Sequence, residues 1–192
     1  MIRLATWIVT ALLLGPWSGA SANAPAAVDP ALKAALIEAI AEADSFDDRF
    51  DAEVWLLDMS TRMRHYLPDE RERLHFLRQV HSQATRAGLK PDLVLAVIHV
   101  ESLFDRYALS RVGAQGVMQV MPFWKNELGR PEDNLIDLAT NLRYGCTILK
   151  YYLDLEKGNL RRALGRYNGS LGSHKYPDKV QDYWYSYWYV KD

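Results

Sequence analysis

Cysteine is almost missing from this chain of 192 residues. Cys146 stands alone, so no intramolecular disulfide can form and no cysteine-based zinc site can be built. An excess of either charge is missing as well: 23 Lys and Arg face 24 Asp and Glu, a formal net charge of −1. A near-neutral chain lacks the basic stripe that nucleic-acid binders carry, so no nucleic-acid partner is expected. The histidines, His65, His75, His81, His99 and His174, show no H-E-x-x-H spacing. Neither a metal nor a cofactor is expected. Long apolar runs are also lacking. Leu4 to Leu14 covers about eleven residues, too short to cross ~30 Å of hydrocarbon as a helix, so no stable membrane insertion is expected. What remains is 49% hydrophobic and 24% charged, an ordinary globular balance that excludes a disordered or fibrous chain. The length suits one domain with a small extension. The excess is aromatic, 6 Trp and 11 Tyr. It is concentrated near the C-terminus in Tyr183-Trp184-Tyr185 and Tyr187-Trp188-Tyr189.

The first residues read as an address. Arg3 supplies positive charge, the Leu4–Leu14 run follows, and Gly15, Pro16 and Gly19 break it before small residues. That is the layout of a secretory signal peptide. Cleavage is expected after Ala22, giving a leader of residues 1–22, because a cut after Ala24 would place Pro25 beside the cleaved bond. The alternative is a buried N-terminal helix. With no cysteine near the cut, a lipid anchor is not expected, and the exported chain is placed in a periplasm.

Helical signals fill the remainder. Asp29-Pro30 pairs an N-cap acceptor with Pro at the first helical position, opening a helix to about Ala43. A second is expected over about 48–66, with Phe46, Phe50, Val54, Leu57 and Met63 at helical spacing. A third opens at Pro68 and ends at Gly88, with Leu74, Leu77 and Ala84 in one stripe. A fourth starts at Pro91-Asp92, and its run Leu93 to Ile98 is apolar on every side, marking a central buried helix. From Phe104 to Pro122 the periodicity fails, and Gly113 and Gly116 signal a turn-rich loop. Helices follow over about 122–128 and 136–156, then one capped by Asn159 that carries Tyr167, and a last one over the aromatic tail from about 178. No strand pattern of useful length is present. The expectation is a compact all-α domain over residues 89–192, preceded by a helical extension over residues 23–88.

Glu101 is the anomaly. It ends an apolar helix, and a carboxyl there is costly when buried and answers by raising its pKa, as a general acid near neutral pH requires. The plain alternative is an exposed or salt-bridged Glu. The segment that follows, ESLFDRYALSRVGAQGVMQVMP, supplies Gly113 and Gly116 for a turn folding back over that helix end. Ser110 and Gln119 are then placed to orient the carboxyl. This segment resembles the lytic transglycosylase (SLT) domain, glycoside hydrolase family 23, whose fold is similar to goose-type lysozyme. Glu101-Ser102, Ser110, Gly113-Ala114, Gly116, Met118-Gln119 and Met121-Pro122 match the family pattern. So do Asn141-Leu142 with Gly145, and Tyr167-Asn168, over about residues 85–180. Val117 replaces a usual Leu, and Arg166-Tyr167-Asn168-Gly169-Ser170 departs from the family's Ala-Tyr-Asn-Ala-Gly.

The resemblance implies a lysozyme-like helical fold and cleavage of peptidoglycan glycan strands at the β-1,4 bond between N-acetylmuramic acid and N-acetylglucosamine, leaving a 1,6-anhydro end. It implies Glu101 as the single catalytic acid/base. Ser110 and Gln119 would hold the sugar, Met121 would line the subsite wall, and Tyr167 would hydrogen-bond near Glu101. Asn168 would be a cap or a glycan contact. A lysozyme-like hydrolase, or a non-catalytic glycan binder whose N-terminal helices dock an envelope-assembly machine, are the alternatives. Of the remaining candidates, Asp105 is read as a cap with a second catalytic carboxylate as the other choice. His99 is read as a packed or hydrogen-bonded side chain, and Cys146 as a small buried hydrophobe. Trp184 and Trp188 share a face at i, i+4, as core or as a sugar-stacking platform.

Overall fold

The computed structural model describes residues 30, 49–128 and 130–191. The leader and nearly all of the helix expected over 30–43 lie outside them. Seven α-helices and one π-helical turn make up the regular structure of the described residues. They are α1 (Arg49–Met63), α2 (Glu70–Arg86), α3 (Pro91–Ser102), α4 (Phe123–Leu128), α5 (Leu138–Leu155), α6 (Leu160–Tyr167) and α7 (Lys175–Tyr183), followed by the π turn Trp184–Trp188. Pairing of the β type is confined there to isolated bridges, Leu109 with Gln115 and Gln115 with Val120. The fold is all-α.

Boundaries differ from the sequence expectation where a polar side chain or a turn geometry decides. The second expected helix is α1, and its buried stripe is Trp55, Leu56, Met59 and Met63. Leu57, expected on the stripe, is 75% exposed. It lies roughly 145° round the helix from the middle of that stripe at 3.6 residues per turn. The third helix starts not at Pro68 but at Glu70, because Asp69 is the N-cap and accepts from the Glu72 N–H at 2.8 Å. The carbonyls of Leu67 and Pro68 instead accept from the Arg73 guanidinium at 2.7 and 3.0 Å.

As its composition demands, α3 is buried all round: every residue from Leu93 to Ile98 is core. It is packed by α2, α7 and the π turn, while α5 bridges α2 and α6. Met59 and Met63 of α1, and Leu77, Val80 and Ala84 of α2, join α3, Leu142 and Leu149 in one hydrophobic cluster. The helices of residues 49–86 therefore form a wall of the same core that supports α3.

The aromatic tail is a helix in two registers. It opens at Lys175, earlier than expected, and loosens at Trp184, where the Tyr189 N–H donates to the Trp184 carbonyl five residues back at 2.7 Å. Trp188 is fully buried, and Trp184 packs partly buried against the same core.

Candidate active site

The site is built where α3 stops. Its last turn carries Glu101 and Ser102, and Leu103 and Phe104 then take left-handed backbone conformations with φ of 51° and 68°. This sharp exit drives the Phe104 ring into the core, 4.9 Å from Tyr66 and 5.4 Å from Trp188 between ring centroids. The chain then returns over the helix end. The Ser102 hydroxyl donates to the Val117 carbonyl at 2.9 Å, pinning the returning loop to the turn that carries Glu101.

What holds the loop is α5. Asn141 is buried and uses both ends of its amide: Oδ1 accepts from the Met118 N–H at 2.8 Å, and Nδ2 donates to the Gln115 and Leu135 carbonyls, each at 2.8 Å. Gly116 must be glycine, since its φ is +71° and a Cβ there would lie 2.4 Å from Asn141 Nδ2. Gly145 faces the loop from α5, and a Cβ on it would lie 2.4 Å from Met118 Sδ. The separate motif blocks of the sequence are thus the two faces of one contact.

Between loop and helices lies an open cleft of about 420 Å³, walled by His99–Leu103, Ala108–Ser110, Gln119, Lys179 and Tyr183. Glu101 is the carboxylate on that wall. Its Oε1 accepts from the Tyr176 hydroxyl at 2.6 Å. Burial pushes the Glu101 carboxyl up to about 7, against the smaller opposing effects of the Tyr176 hydrogen bond and the positive Lys179. A carboxyl with that pKa holds a proton near neutrality and takes one back as readily.

Tyr176 was not found from the sequence. It lies 75 residues from its partner, and the available signal was weak: Pro177 marks a helix start, which puts Tyr176 in a first turn. The expected residues are distributed differently from the roles assigned to them. Ser110 and Gln119 reach the cleft wall, but their hydrogen bonds serve the loop. Ser110 Oγ accepts from the Ala114 N–H at 2.9 Å, and Gln119 Nε2 donates to the Gly116 and Ala108 carbonyls at 2.9 and 3.2 Å. Tyr167 stands close enough to Glu101 to feel its charge, yet its hydroxyl donates to the Met118 carbonyl at 2.8 Å. Met121 packs partly buried against the core. Asn168 is the exposed C-cap of α6.

Asp105 is exposed, and its Oδ1 accepts from the Tyr107 N–H at 2.9 Å, a local turn cap. Cys146 is buried against Met118, and burial pushes its thiol up. His99 is a buried hub. The Trp188 indole N–H, a donor only, gives its hydrogen to Nδ1 at 3.1 Å, so the proton of the neutral ring is on Nε2 and is donated to the Tyr66 oxygen at 3.2 Å. Burial and the positive Lys179 hold its pKa down at about 4.

The sequence profile described as transglycosylase SLT domain matches residues 79–188, a span starting within α2 and ending on Trp188. Curated relatives from Yersinia pestis (strain Pestoides F) and Yersinia pseudotuberculosis serotype O:1b (strain IP 31758), both named membrane-bound lytic murein transglycosylase C, are 32% identical over 114 residues. The match takes in 51% of this chain and 32% of each relative, so the chain spans about a third of the length of the curated relatives it matches.

Proposed function

Because the chain belongs to the transglycosylase SLT domain family, we propose that it is a peptidoglycan lytic transglycosylase in which Glu101 acts alone as acid and then as base. The bond cut is the β-1,4 link between N-acetylmuramic acid and N-acetylglucosamine. The observation that carries this reading is the setting of Glu101. It is the one carboxylate among the described residues of the cleft wall, and its pKa lies near 7.

Protonated Glu101 gives its proton to the departing glycosidic oxygen. The sugar's 2-acetamido carbonyl steadies the positive charge at C1, so no enzyme nucleophile is needed. The Glu101 carboxylate then takes the proton of the C6 hydroxyl, whose oxygen closes on C1 and leaves a 1,6-anhydro ring. Tyr176 holds the carboxyl in place through both steps. The leader expected over residues 1–22 would deliver the enzyme to its polymer in the periplasm.

An acid paired with a water-activating base needs a second carboxyl about 6.5–9.5 Å away, and a nucleophile needs one at about 5–5.5 Å. Asp105 is exposed and turned to its own backbone, which favours ring closure over hydrolysis. Digestion of purified sacculi in heavy-oxygen water tests the reading. Muropeptides lighter by one water and free of label are expected. Labelled reducing ends would make the enzyme a hydrolase, and intact sacculi would leave a glycan binder.

A further inference from the structure

Two residues on the cleft wall, Leu103 and Leu109, present large exposed aliphatic side chains beside Glu101. Leu103 sits in the left-handed conformation at the C-cap of α3, a position that favours glycine because a Cβ is strained there. Phe104 bears the same strain, but its ring is buried, and that burial offsets the cost. Leu103 has no such compensation, being 62% exposed. Leu109 also lines the cleft and is 69% exposed, and Val112, three residues further along the loop, is 76% exposed. Strain and exposed aliphatic surface coincide beside Glu101. Such violations collect where a ligand is gripped.

We propose that Leu103 and Leu109, extended by Val112, form an aliphatic lip that grips the methyl-bearing first residue of an acidic peptide attached to the glycan, so that the cleft selects peptide-bearing over peptide-free strands. The inference rests on the reading of the cleft as a peptidoglycan site and adds to it which form of the polymer is preferred. Branched aliphatic side chains have no flat face on which a pyranose ring can stack, but they match the lactyl and alanyl methyl groups that join the peptide to the sugar. Charge agrees with this choice. Lys179 is on the same wall, and Arg106, stacked 5.2 Å over the Tyr107 ring, and exposed Arg111 lie on the same segment. The one acid of that segment, Asp105, accepts from the Tyr107 N–H.

Binding tests the lip without relying on turnover. The ligands are a muramic-acid-containing tetrasaccharide carrying its peptides and the same tetrasaccharide with the peptides removed. Their Kd values are measured by calorimetry for the full chain carrying Glu101→Gln, which blocks the proposed cleavage, with the lip intact and with Leu103→Gly or Leu109→Ser added. With the lip intact the chain is expected to bind the peptide-bearing ligand more tightly, and each lip variant to reduce the ratio of the two affinities about four- to fifteenfold, the worth of one or two buried methylenes. Leu103→Gly relieves backbone strain, so its Tm should not fall, which separates lost contact from lost folding. An unchanged ratio in both lip variants, no preference with the lip intact, or no binding of either ligand overturns the lip. Binding with the expected ratio, but no cleavage by the chain that keeps Glu101, would overturn the cleavage reading alone.

Discussion

Glu101 and His99 are two residues apart on α3, and their surroundings push their proton affinities in opposite directions. The folded chain raises the Glu101 carboxyl to about 7 from 4.5, so its contribution to stability is complete below about pH 4.5 and is lost as pH rises to 7. It lowers the His99 ring to about 4 from 6.5, so that contribution is complete above 6.5 and is lost as pH falls to 4. The slopes oppose each other between pH 4.5 and 6.5. Denaturant titrations of the Glu101→Gln variant should therefore uncover stability that climbs with pH over that window. His99→Gln should uncover the reverse, and parallel curves for both would show that neither shift is real. Glu101→Gln should also lose at least about 100-fold in turnover, the scale of one general acid. Tyr176→Phe and Lys179→Met remove the two groups that hold the Glu101 pKa down. Each should move the alkaline limb of the kcat/KM profile upward in pH, and a limb moving down would exclude the assigned hydrogen bond or charge.

At the scale of elements, the decisive joint is between α5 and the loop over residues 113–121. Asn141 satisfies three backbone groups there, so Asn141→Leu leaves buried donors and acceptors unpaired and should cost about 2–4 kcal/mol. Gly145→Ala forces a methyl group into Met118, with contacts at 2.4 Å to Sδ and 2.7 Å to Cβ, and should cost about 1–3 kcal/mol. Because Met118 also supplies the carbonyl that Tyr167 uses, both variants should lose activity by more than their unfolded fraction at 25 °C. Unfolding curves and initial rates on the same samples check this. Full activity at reduced stability would mean that the loop need not be held so firmly.

Across the whole molecule, the last aromatic turn closes the core behind α3. Trp188 is fully buried, 89 residues from the His99 ring to which it donates. The Tyr187 hydroxyl donates to the Arg62 carbonyl at 2.6 Å, tying the tail to the end of α1. Trp188→Ala should cost about 3–5 kcal/mol by cavity formation and let His99 protonate at a higher pH by admitting water. Trp188→Phe keeps most of the volume but not the indole donor, and should lose less stability. The His99 titration, followed by NMR, should rise from about 4 in both variants. An unmoved titration would place its cause elsewhere than in the tail.

Much of this could be read along the chain, and the reason is locality. An apolar run such as Leu93 to Ile98 dictates a buried helix wherever it is placed. Asp137 and Asn159 cap α5 and α6 through bonds three residues long, to the N–H groups of Thr140 and Arg162. Gly116 was legible as a turn position, because the need for a positive φ leaves a mark at one residue, whereas Gly145 was legible only through the family motif that it shares with Asn141. Glu101 stood out because its cost is set by its own helix. What the sequence could not determine depends on partners far apart. No periodicity links Tyr176 to Glu101 across 75 residues, and none assigns the hydroxyl of Tyr167 to Met118 instead. The change to a π turn at Trp184, ahead of the fully buried Trp188, leaves no mark in the run of tyrosines and tryptophans. Local propensity and pattern determined the helices and the candidate acid. Only the tertiary structure decided which hydroxyl holds that acid, because hydrogen bonds between distant residues exist only once the elements have met.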